Sequence, residues 1–74
     1  MSLSGTVQGP DWRVSGRTFP AARGFVCHVR VEHGTFSHEF THAAQMKRER
    51  DALFAGLREG MLWIDHKMSR TFAV

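Results

Sequence analysis

The spacing of apolar residues changes once along this chain, and that change sets its fold class. Up to about His42, apolar residues recur at every second position; from Met46 they return every three, four or seven. A period of two belongs to a strand with one buried face, and a period near 3.6 to an amphipathic helix. The clearest alternating run is Phe25 to Glu32, with Phe25, Cys27, Val29 and Val31 on one side and Val26, His28, Arg30 and Glu32 on the other. Trp12 to Phe19 alternates as well, with Trp12 and Val14 opposed to Arg13, Ser15 and Arg17. Pro20 to Gly24 reads as a connection, because Pro20 has no N–H for a central ladder. Met1 to Pro10 is polar and without period, a flexible lead-in that touches the sheet near Val7.

His33-Gly34 reads as a two-residue turn whose glycine takes positive φ. The implied register sets Glu32 opposite Thr35, Val31 opposite Phe36, Val29 opposite His38, Cys27 opposite Phe40 and Phe25 opposite His42. A third strand over 35–42 then adds Phe36 and Phe40 to the apolar face. On the opposite face His28 pairs with Glu39, and Arg30 is a diagonal neighbour. A slip of one residue would turn every one of these side chains to the wrong face.

The second half predicts a helix over 47–68. Met46, Leu53, Leu57, Met61, Ile64 and Met68 form its buried stripe, while Lys47, Asp51, Arg58, Asp65 and His66 lie on the far side. Leu62 points to the polar side and Trp63 sits at the edge of the stripe. Gly56 and Gly60 each cost up to about 1 kcal/mol relative to alanine in a helix. Four apart, they offer a smooth surface for close approach of another backbone. Thr71 to Val74 reads as a short strand or a frayed end. The expected fold is one α+β domain over 1–74, with strands at about 12–19, 25–32 and 35–42. A three-stranded antiparallel sheet in β-β-β-α order carries one long C-terminal helix on one face, and its other face is open.

Seventy-four residues are near the size at which one core supplies only a few kcal/mol of net stability, and oligomerisation is a common supplement. The single cysteine, Cys27, forms no internal disulfide and fits a reducing cytoplasm. No apolar run approaches the roughly 18 residues of a membrane helix, and no signal-peptide segment follows Met1. The expectation is a soluble, cytoplasmic protein without membrane partners. A net charge of +3 and an isoelectric point near 10.0 permit polyanion binding without requiring it.

One motif points to chemistry. His38-Glu39-Phe40-Thr41-His42 has the H-E-x-x-H spacing that, on a helix, turns two imidazoles toward zinc and a glutamate toward the attacking water. Glu49, Glu59, Asp65 or His66 would have to supply a third ligand. Against this, Thr35, Phe36, Phe40 and Thr41 favour a strand, and a helix here would remove the hairpin partner of 25–32. In a strand His38 and His42 still share a face, but Glu39 turns to the other. The motif is therefore read as structural, with His38 hydrogen-bonded in the core and His42 at the sheet rim. No catalytic residue, metal or cofactor is expected; His38 and His42 are the metal ligands of the alternative, a minimal zinc hydrolase. With Cys27 they form an inward-facing set able to take adventitious zinc.

Basic residues give a second candidate. Arg13, Arg17, His28 and Arg30 populate the open sheet face, and Lys47, Arg48 and Arg50 crowd the helix start, where they can meet phosphates. Glu32, Glu39, Glu49 and Asp51 dilute that charge, and no aromatic stacking platform is evident on the open face. Nucleic-acid binding is thus the runner-up. The leading expectation is a non-catalytic interaction or accessory protein that binds an unidentified protein or itself as a homodimer. Val26 and Thr41 on the open face and Leu62 on the outer helix side motivate it.

Gly5-Thr6-Val7 and Arg23-Gly24-Phe25-Val26 are similar to cold-shock proteins, but Phe25-Val26-Cys27-His28 keeps only the first aromatic of that family's stacking run, and the helical second half is foreign to it. Across Trp12 to Pro20, Phe25 to Glu32, Phe36 to His42 and Arg50 to Asp65, ending in Gly60-Met61-Leu62-Trp63-Ile64-Asp65, the chain resembles uncharacterised small proteins of Burkholderia-type beta-proteobacteria. That resemblance covers about three quarters of the chain by the notional pattern of structural residues. It implies β-β-β-α order and no established activity. In outline the chain also resembles the double-stranded RNA-binding fold, without a counterpart of that fold's N-terminal helix.

Overall fold

The computed structural model describes residues 3–72, with side chains through residue 66. Four strands precede one helix: β1 (Ser4–Gln8), β2 (Trp12–Ala21), β3 (Gly24–His33), β4 (Phe36–Met46) and α1 (Glu49–Phe72). The strands form an antiparallel meander in the order β1-β2-β3-β4. The α+β class, the antiparallel sheet and the single covering helix agree with the sequence reading. The strand count does not, because residues read as a lead-in form β1 at the sheet edge. Met1 and Ser2 lie outside the described residues, as do Ala73, Val74 and the Met68 side chain. The backbone of Thr71 and Phe72 is the end of α1 and not a strand.

β2 continues through Pro20 to Ala21, which the sequence reading assigned to a connection. The ladder explains why proline is tolerated. Thr18 N–H donates to Leu3 O at 2.9 Å, so even-numbered residues of β2 turn their main-chain groups toward β1. Pro20 has the same parity but stands beyond the start of β1, where its missing N–H deprives no partner among the described residues. Ala22 and Arg23 make the turn into β3. Gly24 then adopts φ +147°, and a Cβ there would meet Met46 O at 2.2 Å.

The β3–β4 hairpin turns at Gly34-Thr35, with His33 opposite Phe36, Val31 opposite His38, Val29 opposite Phe40 and Cys27 opposite His42. From Val31 to Cys27 the observed pairing is two residues away from the one expected from a His33-Gly34 turn, and beyond an irregularity Phe25 stands opposite Met46 and not His42. The favoured two-residue hairpin turns need positive φ at their first central residue. Gly34 supplies it, with φ +61°, whereas the other placement would have forced it on His33. Because the shift is two and not one, every side chain stays on its expected face.

The covered face carries Val14 and Thr18 of β2 and Cys27, Val29 and Val31 of β3, all essentially inaccessible, beneath Ala52, Leu53 and Ile64 of α1. Gly56 and Gly60 allow this close fit. A Cβ on Gly56 would stand 2.3 Å from Cys27 Sγ, and one on Gly60 2.5 Å from Val14 Cγ1. The small residues thus form the contact line expected of them, and they displace the predicted stripe. Ala52, Leu53, Gly56, Gly60 and Ile64 are buried, Leu57 is half-buried, and Met61 is exposed. Lys47, Asp51, Arg58, Leu62, Asp65 and His66 face outward as expected, and Trp63 lies at the margin.

Candidate functional site

His38, Glu39 and His42 lie within β4, so the H-E-x-x-H residues form a strand. Their side chains alternate as the strand period requires. His38 shares the helix-covered side with Trp63: the two rings stack with centroids 5.3 Å apart, and Phe36 stacks on the same indole at 5.1 Å. Neither His38 nor Phe36 is the core residue the sequence suggested; both are exposed, because β4 is an edge strand that α1 overlaps mainly through Trp63. Phe40 does pack against the core. Glu39 is on the opposite face, away from both histidines of the motif. Among the described residues, no three His, Cys, Asp or Glu side chains converge on a metal-sized position.

On that opposite face Glu39 belongs to a short polar chain. His28 Nε2–H donates to Glu39 Oε1 at 3.0 Å, and His28 Nδ1 lies 3.1 Å from Thr41 Oγ1. The hydrogen bond from His28, aided by the positive charge of Arg30, holds the Glu39 carboxyl below its usual range. Both ends of this chain face water, so its evident role is to tie β3 to β4. Here the two-residue register shift reverses the expected geometry: Arg30 is directly opposite Glu39 and His28 is the diagonal partner.

Arg13, Arg17 and Arg30 share this open face, as predicted. Arg17 and Arg30 line a shallow hollow of about 220 Å³ with His28, Ser4, Thr6 and Ser15. Arg30 Nε is 3.8 Å from Glu32 Oε1, which offsets part of the charge. Phe19, opposite Val26, is exposed on the same face, an aromatic that the sequence reading did not place there. Lys47, Arg48 and Arg50 form a separate group at the start of α1, which packs on the other side of the sheet. The six basic residues therefore form two groups of three and not one surface.

A larger concavity lies elsewhere. Between α1 and β1 runs a mainly apolar groove of about 590 Å³, lined by Val7, Phe54, Leu57, Met61 and Leu62 together with Arg58 and Asp65. Phe54 and Leu62 are 59% and 54% exposed, more than any other large apolar residues described. Two local facts create it. Gly5 passes close beneath Leu53 and Leu57, and Val7 continues the floor. The buried stripe of α1 is also rotated toward its glycines, which turns Phe54 and Met61 outward. The signal was present in the sequence as Phe54, Leu57, Met61, spaced i, i+3, i+7, but Leu57 and Met61 were assigned to the core and Phe54 to neither side of the helix.

Cys27 is the one cysteine of the chain and is buried at the centre of the sheet, where burial pushes its thiol up. No helix among the described residues is long and apolar enough to cross a membrane. Comparison with family models, curated proteins and solved structures finds no match to this chain.

Proposed function

We propose that this chain is a non-catalytic interaction module that binds a protein partner through the groove between α1 and β1. The observation that carries the reading is the clustering of Phe54, Leu57, Met61 and Leu62 beside Val7 in one concave strip. Scattered exposed apolar residues are ordinary on a small domain; a contiguous apolar strip with a few charges is a usual form of a protein-binding surface. The outer edge of β1 adds main-chain donors and acceptors next to the groove, since β1 pairs on one side only. The proposal includes a cytoplasmic setting, supported by the lone, buried Cys27.

A photo-crosslinking residue placed at Leu62 tests this in cells, with the same residue at Arg17 as comparison. Adducts formed at position 62 and scarce at position 17 are the expected result. Adducts from position 17 alone would move the working surface to the open sheet face and sink the groove reading.

That face supports a second reading, a weak nucleic-acid-binding module. Arg13, Arg17, Arg30 and His28 are gathered there with exposed Phe19, a basic surface bearing one stacking side chain. A low-salt mobility-shift titration against RNA, single-stranded DNA and duplex DNA decides it. Absence of binding at tens of micromolar (on the order of the weakest non-specific affinities) removes this reading.

A further inference from the structure

The groove also carries information about its occupant. We propose that it is filled by α1 of a second copy of this chain, antiparallel to the first about a two-fold axis. The inference rests on the reading of the groove as an interaction surface.

Charge placement is the main argument. Arg58 and Asp65 both border the groove and are exposed. Seven residues apart, they lie on the same side of the helix, separated by roughly 10 Å along its axis. Met61 and Leu62 fall between them. A two-fold axis crossing α1 midway between Met61 and Leu62 reverses the second helix. Arg58 then faces Asp65 of the second copy, and Asp65 faces Arg58 of the second copy. Each Met61 meets the other chain's Leu62. Met61 and Leu62 are thus flanked by one cation and one anion at equal distances, and this segment is self-complementary under a two-fold rotation. A strongly acidic or strongly basic foreign partner would match only one end.

The second argument is packing. Antiparallel helices side by side sit about 8–10 Å apart. A neighbour at that distance would cover Met61 and Leu62, which their own chain leaves exposed. Glycine-lined contact with the sheet uses the opposite side of α1, so the second helix competes with nothing in the domain.

Sedimentation equilibrium of the purified full chain provides the test, with Arg58→Asp, Asp65→Arg, the double swap Arg58→Asp/Asp65→Arg, and Leu62→Glu. The wild type is expected at twice 8.4 kDa, dissociating on dilution. Each single reversal sets two like-charge pairs across the axis and weakens the dimer by roughly tenfold or more, whereas the double swap restores it. Leu62→Glu yields monomer. Circular dichroism checks that each variant is folded. Isotope-filtered NOEs between Met61 and Leu62 methyls in a mixed-label wild-type sample give a second readout that needs no substitution.

A wild type that stays monomeric at all concentrations overturns the inference. So does a dimer whose affinity the double swap fails to restore, or one without the Met61–Leu62 NOEs. These failures are distinguishable from failure of the groove reading: a monomer whose position 62 still crosslinks to a different protein loses only the second copy.

Discussion

Gly60 decides how near α1 lies to the sheet. Its absent Cβ would stand 2.5 Å from Val14 Cγ1 and 2.9 Å from Val29 Cγ1, two β-branched side chains with little freedom to swing aside. Gly60→Ala gains up to about 1 kcal/mol of helix propensity. Overpacking a filled core costs about 1–3 kcal/mol. The second effect wins, and urea denaturation should show a net loss of roughly 1–2 kcal/mol. Glu39 is a different case, exposed and electrostatic. An NMR titration should find its pKa below the ordinary carboxylate value, rising more on His28→Ala than on Arg30→Ala, since the His28 hydrogen bond is the larger cause. A depressed folded-state pKa means that the pair stabilises the fold above the ordinary carboxylate pKa. That contribution is lost as pH falls through the folded value. The closeness of Gly56 and Gly60 was legible from their spacing; the His28–Glu39 contact was legible from strand alternation. Which of His28 and Arg30 stands directly opposite Glu39 was not, because it depends on φ at Gly34.

At the scale of elements, the least legible strand is held by the most specific polar contacts. Ser4-Gly5-Thr6-Val7-Gln8 contains one large apolar residue, too little for a hydrophobic period to register. Its start is held by Leu3 N–H, which donates to Thr18 Oγ1 at 2.8 Å and to Glu49 Oε2 at 3.0 Å. The buried Thr18 hydroxyl in turn lies 2.9 Å from Glu49 Oε2 and 3.2 Å from Leu3 O, and its single proton is best given to the carboxylate. Glu49 opens α1, where a negative charge is favoured by the helix dipole. One carboxylate therefore joins β1, β2 and α1. Glu49→Ala should cost about 1–3 kcal/mol, leaving Thr18 and Leu3 without their charged acceptor. Hydrogen exchange should accelerate in β1 while the amides of β3 keep their protection. These partners are separated by 15 to 46 positions in sequence, so no local pattern announces them. The β3–β4 hairpin is the converse case. Its faces were legible from alternation alone, and only its turn position needed backbone conformation.

The whole molecule is slender, 43 × 18 × 15 Å, with one helix over a four-stranded sheet. A single helix cannot cover four strands, so α1 fits over β2 and β3 and leaves a groove beside β1 and stacked rings over β4. If a second copy fills the groove, stability and association are linked. The midpoint of thermal unfolding should then rise with protein concentration for the wild type and become independent of it in Leu62→Glu. Differential scanning fluorimetry across a wide dilution range checks this.

From the amino-acid order alone come the class of the fold, the sheet face of the residues in 12–18, 25–32 and 36–42, and the strand nature of His38 to His42. All of these follow from periods of two and 3.6, which are local properties of the chain. Long-range packing and backbone conformation set three further features: β1 is a strand, the hairpin turns at Gly34-Thr35, and the buried side of α1 is its glycine side. The last is decisive for function. Helical spacing shows that Leu53, Leu57, Met61 and Ile64 cluster, but not which of them meets the sheet. That choice was made by the space between Val14, Cys27 and Val29, which admits only glycine and turns Phe54, Met61 and Leu62 outward.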